Sequence, residues 1–181
     1  MSTEFSTMNR ARVTLENADS LTANDLSELC DATEEAIKSG GGFGWLTAPP
    51  RNILEDYWRG VLLIPERSLI LGKVDMVIAG SCQILRPPKA NQAQAFACQL
   101  TTFFLAPWAR GYGLAQRLVA EAEDFAKSQG FSVINLDVRA SQERAIQSFE
   151  ASGFQRFGTN PTYALVDGEY VTGYYYSKEI R

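Results

Sequence analysis

The 181-residue chain contains no histidine, which removes Ser-His-Asp and Cys-His catalysis, H-E-x-x-H metal sites and any imidazole general base. Cysteine is scarce as well. Cys30, Cys82 and Cys98 are odd in number and form no C-x-x-C pair, so they imply neither a disulfide framework nor a zinc site and read as small buried hydrophobes. No run of Lys or Arg occurs and the net charge is −4, a balance that argues against nucleic acid as a partner because phosphate binding needs clustered positive charge. A basic or amine-bearing substrate suits it better. Apolar runs such as Val61–Ile64 fall far short of the roughly 18–20 residues that span a bilayer, so no membrane partner is expected. An N-terminal h-region is missing too. Residues 1–9 read as a flexible tail on a cytoplasmic domain that covers residues 10–181.

What is present is an ordinary globular composition, 45% hydrophobic, 21% charged and 11% aromatic, in a length that suits one core. Arg12–Leu15 alternates as a first strand. Thr22-Ala-Asn24-Asp25 then offers caps to a helix through Leu26, Leu29, Ala32, Ala36 and Ile37 that ends near Ser39. Gly40–Trp45 is a mobile, aromatic-bearing loop, and after Pro49-Pro50 a second helix runs from about Asn52 to Leu62. From Ser68 the period changes to that of strands: a hairpin turning at Val74-Asp75 and reaching Leu85, then an extended run over Ala93–Leu105. Gly111-Tyr112-Gly113 opens a long amphipathic helix ending at Gly130. A buried strand over Phe131–Val138, a helix over Glu143–Ser152, and strands near Phe154–Gly158, Tyr163–Val166 and Tyr170–Lys178 complete the chain. The order predicts an α+β fold: a single mixed, mainly antiparallel sheet flanked by helices. A repeating βαβ nucleotide fold is excluded, since the central strands lack crossover helices.

With histidine absent, the chemistry falls to carboxylates, tyrosines, main chain and a bound cofactor. Arg110-Gly111-Tyr112-Gly113-Leu114-Ala115 stands where a strand ends and a helix begins. Two glycines there permit a tight turn, and helix-start N–H groups favour anions. A pyrophosphate fits such a turn, with Arg110 and Arg117 adding charge. The Walker lysine is missing, and the Rossmann G-x-G-x-x-G fails at Gln116.

Read with its neighbours, the segment becomes specific. Arg110-x-x-Gly113-x-Ala115 matches the R/Q-x-x-G-x-G/A pyrophosphate signature. It is preceded by the strand Gln99–Leu105 and Pro107, and followed by Val133–Val138 and by Ala145-Ile146-x-x-Phe149-Glu150-x-x-Gly153-Phe154. This resembles the GNAT superfamily of acyl-CoA-dependent N-acetyltransferases over residues 68 to 180, about two-thirds of the chain. Gly40–Trp45, Asp56-Tyr57-Trp58, Gly158-x-x-Pro161-x-Tyr163-Ala164, Gly168 and Tyr174–Lys178 look like its tabtoxin-resistance type. The resemblance implies a GNAT-like fold with splayed central strands, acetyl-CoA as cosubstrate and no metal. The pyrophosphate would lie on Arg110, Gly111, Tyr112, Gly113, Leu114 and Ala115, and the pantetheine arm against the main chain of Phe103, Phe104 and Leu105. Gln142 and Phe149 would complete the cofactor surface. A strand N–H would polarise the thioester carbonyl while the amine attacks directly.

Two departures from the family pattern matter. The positions that usually hold a Glu base and a Tyr acid read as Gln99 and Phe149, and neither side chain transfers a proton at neutral pH. Asp137, Tyr163, Tyr112 and Glu150 remain as candidates, with Tyr163 preferred for its place near the acceptor side and Asp137 next. Cys98 has no base or cationic partner and reads as an inert core thiol. Phe43 and Trp45 either anchor their loop or line an acceptor pocket beside Tyr163, and flanking glycines favour the second. The expected activity is transfer of an acetyl group to a primary amine of a small metabolite or toxin. Protein or peptide N-acetylation and an acyl-CoA-binding sensor that has lost catalysis are the alternatives, and homodimerisation stays open.

Overall fold

The computed structural model describes residues 11–41 and 43–181; the expected N-terminal tail lies outside them. β1 (Val13–Ala18) leads to α1 (Ala23–Lys38), whose start is fixed by a capping box. Thr22 Oγ1 accepts from the Asp25 N–H at 3.1 Å while the Thr22 N–H donates to Asp25 Oδ2 at 3.0 Å. α2 (Arg51–Leu62) follows Pro50 and buries Leu54, Trp58 and Val61. The indole of Trp58, fully enclosed, donates to Thr33 Oγ1 of α1 at 3.0 Å, so the two helices lock together without leaving a buried donor unpaired.

β2 (Arg67–Val74) and β3 (Val77–Leu85) form the expected hairpin, with Asp75 and Met76 both at positive φ, as a tight two-residue turn requires. β4 (Ala97–Leu105) starts later than the sequence suggested, because Gln92–Gln94 close into a 3-10 turn. α3 (Leu114–Ser128), β5 (Val133–Arg139) and α4 (Glu143–Ala151) come next. The two strands expected between Phe154 and Val166 are one, β6 (Gln155–Val166), paired along its length with β7 (Glu169–Glu179). Pro161, which has no N–H to contribute, sits where the register shifts between Asn160 and Ala164, so a bulge absorbs it and the strand continues.

Among the described residues, seven strands lie in the order β1-β2-β3-β4-β5-β7-β6, flanked by four helices; every neighbouring pair is antiparallel except β4 with β5. No helix among the described residues is long and apolar enough to cross a membrane. Two features of the middle strands open the centre of the sheet. β4 and β5 pair only through Ala97–Gln99 with Val133–Asn135, after which they part. In addition, Ser81 faces Phe104 and Gln83 faces Thr101, so β4 carries an extra residue, and Thr102 takes φ +50° to accommodate it. A β-branched residue in the left-handed region is strained, held there by the pairing on both sides.

Candidate active site

The parting of β4 from β5 leaves the main chain of Leu100–Leu105 without a partner on its β5 side. Two cavities, of about 760 and about 580 Å³, occupy the gap and share Phe103, Gln142 and Ala145. The two cavities adjoin at those three residues.

The smaller cavity ends on the start of α3. Gly111 and Gly113 are at φ +88° and +75°, and a methyl group on either would touch nothing within 4 Å, so open space stands over both. Gly113 caps the helix with no side chain. The first intrahelical acceptor bond here is from the Arg117 N–H to Gly113 O at 3.3 Å, which leaves the N–H groups of Leu114, Ala115 and Gln116 unpaired within the helix. Arg110 and Arg144 line the same space. Unpaired N–H groups, a helix N-terminus and two guanidinium groups fit a phosphorylated ligand. Arg117 is not part of this cradle, because its Nη1 donates to Val13 O of β1 at 2.7 Å. Tyr112 is exposed and lines neither cavity, while Leu114 lines the smaller one and is buried, with its side chain against Gly72. Phe104 and Leu105 line the smaller cavity, and Phe103 both.

The larger cavity gathers Asp137 and Arg139 of β5, Tyr163 of β6, Phe43 and Trp45 of the loop after α1, and Tyr57 of α2. Asp137 and Arg139 are two residues apart on one strand and so share a face. The Tyr163 hydroxyl donates to Asp137 Oδ2. Burial first, and then this hydrogen bond to a carboxylate, push the phenol well above its ordinary pKa, so Tyr163 is a donor throughout the neutral range. Its ring lies on Gly173 of β7, where a Cβ would come within 2.1 Å of the ring carbons.

The loop bearing Phe43 is pinned, in contrast to the mobile segment expected from its glycines. Arg139 Nη2 donates to Gly41 O and Phe43 O at 3.0 Å each, and the Gln142 amide donates to Gly40 O. Phe43 is buried with its ring 4.8 Å from Phe104, so it is both an anchor and a wall. Trp45 is half-buried, edge-on to Tyr57 with centroids 5.0 Å apart.

Gln99 does not reach either cavity: it is exposed, within the stretch where β4 still pairs with β5, and Thr101 and Thr102 are the polar β4 residues that face the larger cavity. Phe149 is buried against Phe103 and Phe154 and lines that cavity with an apolar ring. Glu150 lies outside both cavities and accepts from the Tyr176 hydroxyl at 2.8 Å, tying α4 to β7. Cys98 is buried, and desolvation pushes its thiol up to about 12, which leaves no thiolate at neutral pH. Sequence reasoning missed Arg139, Arg144, Thr101 and Thr102 as site residues. The period-2 spacing from Asp137 was the signal available for Arg139.

The model of the Acetyltransferase (GNAT) family matches residues 28–154 of this chain. An N-acetyltransferase of the hisH-hisA intergenic region of Azospirillum brasilense is 54% identical over 132 residues, 73% of this chain and 79% of that protein. Among solved structures, an N-acetyltransferase from Staphylococcus aureus Mu50 superposes with a TM-score of 0.77 at 16% identity, covering 94% of this chain and 99% of its own. A GNAT superfamily phosphinothricin acetyltransferase from Sinorhizobium meliloti, solved in complex with acetyl-CoA, gives 0.75 at 17% identity, covering 92% of this chain and 88% of its own.

Proposed function

Because the chain belongs to the GNAT acetyltransferase family, we propose that it transfers the acetyl group of acetyl-CoA to the primary amine of a small molecule, with both substrates bound at once. The observation that carries this reading is the joining of an anion cradle to an aromatic-walled chamber at Phe103, Gln142 and Ala145. The loop residues Phe43–Leu46 and the β6 residues Tyr163–Leu165 wall the chamber, which suits a compact acceptor.

Acetyl-CoA supplies an activated acyl group on a thiol leaving group. The N–H groups of Leu114, Ala115 and Gln116, with Arg110 and Arg144, would hold its phosphates. The unpartnered main chain of Leu100–Leu105 would take the amide-bearing arm as a strand takes its neighbour. Among the described residues, Asp137 is the one carboxylate lining the chamber. It draws in the ammonium form of the acceptor and receives a proton from it, directly or through water, so that the free amine can attack. Tyr163 orients that carboxylate by occupying Oδ2. Phe149 gives no proton to the departing sulfur, and a thiol with a pKa near ~8.5 can leave without one.

The test is thiol release from acetyl-CoA by the purified protein with two panels, small primary amines and peptides bearing free N-terminal or lysyl amines. Turnover of small amines with kcat/KM at least tenfold above any peptide supports the reading. Turnover of peptides alone marks a peptide acetyltransferase, and tight CoA binding with no turnover on either panel marks an acyl-CoA-binding sensor.

A further inference from the structure

Gln83 is a fully buried amide in the middle of β3. Its Oε1 accepts from Arg67 Nη1 at 2.7 Å, and its Nε2 donates to the Tyr57 hydroxyl at 3.2 Å. A guanidinium has no acceptor, so Arg67 fixes which end of the amide is oxygen and therefore which end faces Tyr57. The direction of the chain is then set from one end to the other. Tyr57 receives a hydrogen bond on its oxygen, and no acceptor among the described residues takes its own proton. The side chain has little freedom: its ring is edge-on to Trp45 at 5.0 Å and to Trp58 at 4.9 Å, and it lines the same chamber as Asp137. Hydrogen bonds in series polarise one another, so the positive charge of Arg67 strengthens the free O–H as a donor. Arg139 places a positive charge on the chamber wall, with two hydrogen bonds from its Nη2 already committed to the loop carbonyls.

We propose that Tyr57 is a specificity-determining residue: its hydroxyl donates to an oxygen, carboxylate or carbonyl, carried by the same molecule whose amine lies at Asp137. Arg67 and Gln83 are positioning residues that set the direction of that hydrogen bond. The proposal rests on the acetyl-transfer reading for the identity of the chamber, and it narrows the acceptor to amines bearing a hydrogen-bond-accepting oxygen.

The experiment uses L-leucine, L-leucinamide and isoamylamine, which share one branched chain and one amine and differ in the oxygen group, together with 4-methylpentanoate, which keeps the oxygens and lacks the amine. The expected result is that leucine or leucinamide is acetylated with kcat/KM at least tenfold above isoamylamine. In Tyr57→Phe this preference collapses through a roughly tenfold rise in KM, with kcat and CoA affinity held. Gln83→Glu provides the second variant. The new carboxylate still pairs with Arg67 but can only accept from Tyr57, so it turns the phenol proton away from the chamber while the ring and hydroxyl stay in place. It should lose the preference as Tyr57→Phe does, which a merely structural role for Tyr57 would not produce. Binding of 4-methylpentanoate to the CoA-loaded protein, read by tryptophan fluorescence, should weaken in both variants. An equal loss for all three amines in Tyr57→Phe, an unchanged preference in Gln83→Glu, or no binding of 4-methylpentanoate overturns the proposal. Carboxylate binding that depends on Tyr57 with no amine releasing CoA sustains it and overturns the acetyl-transfer reading instead.

Discussion

The Tyr163 hydroxyl donates to Asp137 across from one strand of the β6–β7 hairpin to β5, and the direction of that bond assigns the two groups different work. In the proposed reaction the phenol keeps its proton and orients, while the carboxylate takes up the proton of the acceptor amine. Asp137→Asn should therefore lower kcat/KM by about 10²-fold or more, with the dissociation constant of CoA unchanged by calorimetry. Tyr163→Phe should lower it less, and adding it to Asp137→Asn should cost little further, because both changes act on one oriented group.

Gly173 is what allows the Tyr163 ring to lie on β7. A Cβ there meets the ring at 2.1 to 2.6 Å, so Gly173→Ala must displace it. The expected cost is about 1–3 kcal/mol of stability, measured by urea denaturation, together with a fall in activity like that of Tyr163→Phe. In a Tyr163→Ala background the same substitution should be nearly neutral, and a full cost there would show that the clash lies elsewhere.

Folding and ligand binding can be separated at Ala115. It stands at the second position of α3, where a carboxylate is favoured by the helix N-terminus by about 0.3–1 kcal/mol, yet it lines the anion cradle. Ala115→Glu should leave the melting temperature unchanged or slightly raised and weaken CoA binding at least tenfold. Unchanged affinity would move the phosphates away from this helix start.

How far the sequence disclosed this site depended on the kind of signal each residue gave. Thr22 with Asp25, the Gly111–Gly113 turn and the short apolar runs from Ser68 to Leu85 that turn at Val74-Asp75 each have a local cause, and each element stands where local reasoning put it. Gln99 was matched to a catalytic position because alternation cannot tell where a strand leaves its neighbour; pairing with β5 persists through Gln99 and stops at the next residue. The left-handed turn at Thr102 is likewise set by long-range pairing. Tyr57 lies one position from the stripe Leu54, Trp58 and Val61, and only the fold brings a buried glutamine from β3 to its hydroxyl. Arg139 tames a loop whose glycines read as freedom, since the constraint comes from a side chain about a hundred residues away.

Alkaline stability should report the buried Tyr176. Burial and the bond to Glu150 push Tyr176 up to about 12, against 10.0 for an unconstrained phenol. The folded state thus holds a proton that the unfolded chain gives up near pH 10, so this contribution is intact below pH 10 and fades as pH rises toward 12. Unfolding midpoints measured from pH 8 to 12 should fall over that window, and Tyr176→Phe should flatten the fall. A Tyr176→Phe protein with the same alkaline slope would place the loss at another group.

A sheet ordinarily has two borders, the outer sides of its first and last strands, which here are β1 and β6. The separation of β4 from β5 adds a third border in the interior. Free strand borders invite pairing with whatever extended chain is near, and this one opens inside the molecule onto cavities lined by Phe103 and Ala145, so that a slim, amide-bearing arm suits it better than a second polypeptide. The protein therefore keeps its stickiest backbone where its own bulk chooses the visitor.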